Sequence, residues 1–421
     1  MKLLRAYLII HIVASMTGVY NFVPMLPYGL NVFEYLAVLV LSVTCLLDMK
    51  AWKRMRLLIP YGVMIALYYT IALASSPSFG VLWKIGFRHA VILSTLIFAV
   101  PAVIVDSVSL RRLAFVVQLA ALVCLVVCVA EVHSSRVAMF LSVESKNQGG
   151  AMDAAYHAFR PGGLLRNPNE VANFFVVTLL LSNWCSGFLR LPGRVAAIYG
   201  TYLSASRGGI ILLVSSVVLY VAGAVRYYLP YGRRASWRLI GVALITCSLI
   251  FATYWIIGSK VIEIKSDTGM SRYERILSLN YNSGVAGRVA LWKVWFPIAL
   301  ESPVYGQGLY SFQGGDYSPA SRISGKQGTH NTWIMLLGEI GFLGPLLYFY
   351  VVLLCLFRIL KIREHPMDRL VLMLLLGVYL AFTVKAHTLL EYPYYSIIMS
   401  LLMYLPWFFS NDMGVDSKGV T

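Results

Sequence analysis

Apolar runs of about 17–25 residues recur along the whole chain and constrain its fold more than any other feature. That length matches the roughly 20 helical residues needed to cross a hydrocarbon core of about 30 Å. Backbone groups in hydrocarbon have no water to bond, so such runs cross as α-helices. The expected fold class is an all-α polytopic membrane protein with about twelve transmembrane helices. The runs place them at residues 6–23, 30–47, 57–74, 89–105, 113–131, 171–189, 195–206, 209–226, 239–258, 331–357, 370–386 and 394–410. Charged residues are 13% of the 421, about half the usual share in a soluble domain, and mean hydropathy is +0.73. Cys45, Cys124, Cys128, Cys185, Cys247 and Cys355 all fall in apolar spans. Buried cysteine acts as a small hydrophobe, so neither disulfides nor a metal cluster is expected. Leu3 to Val23 is followed at once by another span and reads as a retained helix rather than a cleaved signal.

The net charge of +17 does not imply a nucleic-acid partner, because the basic residues are spread over the loops between spans. Lys50, Lys53, Arg54, Arg56, Arg111, Arg112, Arg190, Arg194, Arg226, Arg233, Arg234, Arg238, Arg358, Lys361, Arg363 and Arg369 fall in alternate loops. The intervening short loops, 24–29 and 387–393, hold no Lys or Arg. Cytoplasmic loops carry the excess of Lys and Arg, so both termini are expected in the cytoplasm. The chain then divides into three parts. Residues 1–258 hold helices one to nine with a periplasmic loop at 132–170. A large periplasmic loop with short amphipathic helices occupies 259–330. Residues 331–421 hold helices ten to twelve and a cytoplasmic C-terminus. Long loops translocate largely regardless of charge, yet these two stay cationic, which points to an anionic partner.

Four constellations carry the chemistry. Asn167-Pro168-Asn169-Glu170 reads as a capping-box-like helix start. Before it, Arg160 and Arg166 flank a Gly-rich turn at the membrane surface. Ser206-Arg207-Gly208-Gly209 puts an arginine at the junction of two apolar helices, where a guanidinium costs free energy unless it has a role. A diphosphate is a natural ligand there, because a guanidinium grips phosphate oxygens bidentately. Arg288, Trp292 and Trp295 fall on one helical face, with the tryptophans as expected membrane anchors and Arg288 turned to phosphate. His330, at the start of the span from 331, lies where the helix dipole keeps an imidazole neutral. A neutral imidazole can take a proton from a sugar hydroxyl. No Asp-x-Asp or P-loop is present, and the other histidines lack metal-ligand spacing.

Together the Asn-Pro-Asn of 167–169, Ser-Arg-Gly-Gly of 206–209, Gly-Arg-x-x-Leu-Trp of 287–292, Pro303-x-x-Gly306-x-Gly308, His330-Asn331 and Gly338-Glu339-x-Gly341-x-x-Gly344 resemble the O-antigen ligase and polymerase superfamily. The resemblance implies a GT-C-like glycosyltransferase of the bacterial inner membrane, metal-independent and inverting, with a periplasmic site and no cofactor. Its donor would be an undecaprenyl diphosphate-linked glycan and, for a ligase, its acceptor the lipid A-core of lipopolysaccharide. It implies that Arg207 and Arg288 hold the diphosphate, with Arg160 and Arg166 on the same diphosphate or on core phosphates. It also implies that His330 activates the acceptor hydroxyl. The moderate length and single late loop look most like a ligase. An O-antigen polymerase is the alternative within the class. A secondary transporter is the weaker rival, because the spans are nearly free of charge at their centres.

Overall fold

The computed structural model describes residues 1–22, 30–76, 79–134, 136–137, 161–165, 167–228, 285–313, 328–385 and 393–411. Among these residues every extended regular element is a helix. In chain order they are α1 (Lys2–Thr17), α2 (Val32–Leu47), α3 (Met49–Met55), α4 (Ile59–Ala74), α5 (Phe79–Val103), α6 (Ser107–His133) and α7 (Pro168–Leu181). Then come α8 (Arg190–Leu203), α9 (Arg207–Tyr228), α10 (Val285–Ala299), α11 (Thr332–Ile340), α12 (Leu343–Leu360), α13 (Pro366–Lys385) and α14 (Pro393–Asn411). Among the described residues, six helical stretches are long and apolar enough to cross a membrane: Met49–Ala74, Leu82–Val103, Ser107–His133, Arg207–Tyr227, Leu343–Leu360 and Pro366–Val384. The shorter α2 and α7 are also apolar. The chain is a multi-pass membrane protein. The span expected at 239–258 and most of both long loops lie outside the described residues.

Local chemistry sets the helix starts. Asn31 and Glu34 form a reciprocal capping box at α2, and Asp106 and Ser109 do the same at α6. Asn167 caps α7 with Pro168 in its first turn, although the expected capping box is incomplete. Asn167 accepts from the Asn169 amide at 2.9 Å, while Glu170 turns into the bundle instead of back to the cap.

Lipid tails are as apolar as leucine, so helices in a bilayer associate through close packing of small residues more than through hydrophobic burial. α8 shows this. Gly193, Ala196, Ala197 and Gly200 are buried on one face at helical spacing. Added side-chain carbons at Gly193 and Gly200 would run into Gln118 of α6 and Phe175 of α7. Gly209 of α9 sits against α7 in the same way, 2.5 Å from the Ala172 Cβ were a Cβ built on it.

The single span expected at 331–357 is in fact two helices, α11 and α12, parted at Gly341. Gly341 has φ 70 and ψ −165, a conformation essentially reserved for glycine. Next to it, the Phe342 amide donates to the Pro303 carbonyl at 2.8 Å, tying the break to the segment after α10.

The bundle has two chemically distinct ends. At one, Asp48 pairs with Arg5 (2.9 Å) and Arg54 (3.4 Å), Arg54 also donates to the Pro101 carbonyl, and Arg194 donates to Ser182 at 2.8 Å. There the Arg358 guanidinium also donates to the Leu57 and Met403 carbonyls. The other end collects the last turns of α4, α6 and α13 and the first turns of α7, α9, α11 and α14.

Candidate active site

A glycine-bearing strap forms the floor of this second end. Its backbone runs alongside α11: the Gln307 amide donates to the Gly338 carbonyl (2.7 Å) and the Gly308 amide to the Glu339 carbonyl (3.1 Å). The Leu309 amide then reaches the Ala72 carbonyl at the end of α4 (2.8 Å). Gly306 (φ 70) and Gly308 (φ 92) permit this approach, since a Cβ on Gly308 would lie 2.5 Å from the Ser76 Cα. The Pro303-x-x-Gly306-x-Gly308 and Gly338-Glu339-x-Gly341 motifs are therefore two sides of one backbone joint.

Glu339, fully buried in that joint, accepts from the Tyr68 hydroxyl and from the Phe312 amide (3.4 Å). A buried carboxylate is tolerable only with such donors. Phe312 in turn accepts the Thr329 amide at 3.1 Å, which delivers the returning loop to the start of α11. Asn331, not His330, is the N-cap: its side chain accepts from the Trp333 (2.9 Å) and Ile334 (3.2 Å) amides. His330 therefore stands one residue outside the helix, half-buried, with a left-handed backbone (φ 47). A non-glycine residue in that region is uncommon, and such conformations cluster at functional sites.

Arg288 lies in the first turn of α10, half-buried. Burial lowers the affinity of the His330 imidazole for a proton, and the nearby positive charge of Arg288 lowers it further. Burial likewise disfavours the charge of Arg288 itself, so the site gains by receiving an anion. The structure thus brings together His330 and Arg288, residues far apart in sequence. The tryptophans of α10 correct the expectation of membrane anchors. Trp295 is fully buried against Phe312, ring centres 5.0 Å apart, and Trp292 is partly buried against the same core. Their shared face packs inward and carries Arg288 with it.

Arg207 opens α9 directly after Ala205 (φ 48) and the buried Ser206. The Ser206 hydroxyl donates to the Asn169 side chain at 3.0 Å, so the Ser-Arg-Gly-Gly turn docks on the first turn of α7. One residue on, Glu170 accepts from the Tyr394 hydroxyl and from Tyr395 (2.7 Å) at the start of α14. Tyr395 packs on Phe382, whose neighbour Thr383 accepts from the Trp333 indole at 3.0 Å in the first turn of α11. A continuous set of contacts therefore links the turns carrying Arg207 and His330 at one end of the bundle. Arg160 and Arg166 lie outside the described residues. Between them, the amides of Gly162 (3.2 Å) and Gly163 (2.8 Å) are held by the buried Glu131.

The carboxylates Glu131, Glu170 and Glu339 and the tyrosines that hold two of them were not singled out as functional from sequence. Their signal was available: acidic residues inside or at the edge of apolar helices need partners.

Residues 193–349 match the family model described as O-antigen ligase. Over that segment the chain is similar to the O-antigen ligase family. No curated protein matches the chain. The matched segment contains Arg207, Arg288, His330 and the whole glycine joint, whereas the Glu170 clamp lies outside it. The match supports an enzyme of glycosyltransferase type, a ligase or a polymerase, working on lipid-linked glycan in a membrane.

Proposed function

We propose that this protein transfers a glycan from undecaprenyl diphosphate to the lipid A-core of lipopolysaccharide by a metal-independent, inverting displacement. The coupling of Arg288 to His330 carries this reading. A base and a phosphate-binding cation within electrostatic reach fit a reaction in which one hydroxyl loses a proton as a diphosphate departs. His330 takes the proton of the acceptor hydroxyl, and the anomeric carbon exchanges its bond to the diphosphate oxygen for a bond to the acceptor oxygen. Arg207 and Arg288 stabilise the charge growing on the leaving group. Arg160 and Arg166 bind the same diphosphate or core phosphates. The site faces the periplasm of the inner membrane, and both termini are cytoplasmic.

The deciding assay supplies purified protein with lipid-linked glycan and lipid A-core in the presence of EDTA. Glycan on the core is the expected product. Elongated glycan still on its carrier would make the enzyme a polymerase, and activity lost to EDTA and restored by magnesium would overturn the metal-free mechanism. Orientation is tested by reporter fusions. Fusions at Met55, Tyr231 and Glu364 should report cytoplasm and those at Gly149 and Gly315 periplasm. A cytoplasmic report from Gly315 would place His330 on the wrong side.

The pH profile gives an independent check. His330 must be neutral to act, and in the protein its proton affinity is below the ordinary value of about 6.5. Transfer should therefore hold as pH falls through 6.5 and decline only at a lower pH. Arg288→Gln removes one of the two causes, so the acid limb should move up toward 6.5 without reaching it, because burial remains. An unmoved limb in kcat/KM against pH, which reports the donor-free enzyme, would remove the coupling from the mechanism.

A further inference from the structure

At the basic end of the bundle, a cavity of about 540 Å³ opens between the first turns of α6, α8 and α13, the segment 183–187 before α8 and the last turn of α14. It is separate from the site above. It begins at Ser107, whereas Glu131 on the same helix lies about 36 Å away at 1.5 Å per residue. Arg111 and Arg190 project into its lining from two different helices, and neither has an ion-pair partner among the described residues. Its single lining carboxylate, Asp368, is already engaged by the Trp184 indole (2.8 Å) and by His365 (3.7 Å). Trp184 and Phe409 pack together in the wall, ring centres 6.0 Å apart.

We infer that this cavity binds the phosphate headgroup of an anionic phospholipid. Two guanidiniums with free donors match phosphate oxygens in charge and in fork geometry. The apolar rim selects a lipid over a soluble anion: beside Arg190, Phe188 is 78% and Leu191 70% exposed. Large apolar side chains flanking arginines at the end of a membrane bundle are the chemistry of the headgroup boundary, where basic pockets between helices take anionic headgroups. The acyl chains would run along Phe188, whose ring stands edge-on to Phe115 of α6 at 6.1 Å.

The test titrates the purified full-length protein in neutral detergent with phosphatidylglycerol, phosphatidylethanolamine or inorganic phosphate, reading bound lipid by native mass spectrometry. Phosphatidylglycerol should bind more tightly than phosphatidylethanolamine, and millimolar phosphate should not displace it. Arg111→Gln with Arg190→Gln should weaken phosphatidylglycerol binding about twenty-five-fold, from roughly fivefold for each cation near an anionic surface. Equal affinity in wild type and double variant would overturn the assignment. Displacement by phosphate alone would also overturn it, making this a free-anion site. Should the double variant fail to fold, Arg111→Lys and Arg190→Lys keep the charge and lose the fork. Each should then weaken binding measurably, and unchanged affinity in both would sink the proposal.

Discussion

His330→Asn is expected to cut glycan transfer by about 10²–10⁴-fold while the protein stays folded and still binds its lipid-linked donor. A sugar hydroxyl is too weak an acid to attack at neutral pH without a base, so losing the imidazole strikes the chemical step. Asparagine is the informative replacement. His330 has φ 47, and after glycine, asparagine is among the residues that best tolerate that left-handed region. Helix initiation is untouched as well, because Asn331 caps α11. His330→Ala would confound chemistry with backbone strain. Arg207→Ala and Arg288→Ala should behave differently, weakening donor binding and slowing the step together, since the diphosphate is charged in both ground and transition states. Replacement by lysine should restore only part of either loss, because an ammonium lacks the bidentate fork. Transfer kinetics on membranes with matched protein levels, beside a donor-binding measurement, separate these patterns. Near wild-type transfer in His330→Asn would remove His330 from the mechanism.

The coupling between Arg288 and His330 also suggests how the donor prepares its own reaction. In the empty site the guanidinium charge holds the imidazole poorly basic. A diphosphate bound to Arg288 would cancel much of that charge, so the imidazole gains basicity when the donor is in place. The base would then be strongest in the complex that needs it.

Sequence periodicity located most of the helical core because a bilayer enforces long apolar runs with little freedom to differ. It read 331–357 as one span because Gly341 leaves hydropathy unbroken; only its backbone angles and the Pro303 carbonyl beside it stop the helix. Arg207, Arg288 and His330 stood out as polar groups beside apolar helices, a cost that demands explanation. That Arg288 lies within electrostatic reach of His330 was not written in either local pattern. It follows from the inward packing of Trp295, which the same stripe of residues allowed to be read as a membrane anchor. Glu170 was hidden for a similar reason. An acidic residue in a first helical turn has a sufficient local explanation in the helix dipole, and its partners Tyr394 and Tyr395 lie more than two hundred residues away.

Gly341→Ala is expected to be the most damaging single substitution for folding, worse than any change at the arginines. Its φ 70 and ψ −165 already cost a residue with a side chain about 1–3 kcal/mol. Space adds a second penalty: a Cβ there would lie 2.5 Å from the Pro303 carbonyl oxygen, with the Val304 carbonyl as close. Both atoms are backbone, so neither can swing aside. Relief would require the strap at 303–309 to withdraw from α11. Its bonds from Gln307 to Gly338 and from Gly308 to Glu339 would go, and with them the seat of Glu339 and the return of the loop to His330. Gly187→Ala supplies the control. Gly187 also has positive φ (84), yet a Cβ built there meets nothing within 4 Å. That variant bears only the conformational penalty, so it should unfold within a few degrees of wild type, near basal activity. Gly341→Ala should lose its cooperative unfolding transition in detergent, or shift it far lower, and lose transfer with it. Equal melting of the two variants would mean that the joint between strap and α11 does not hold the site together.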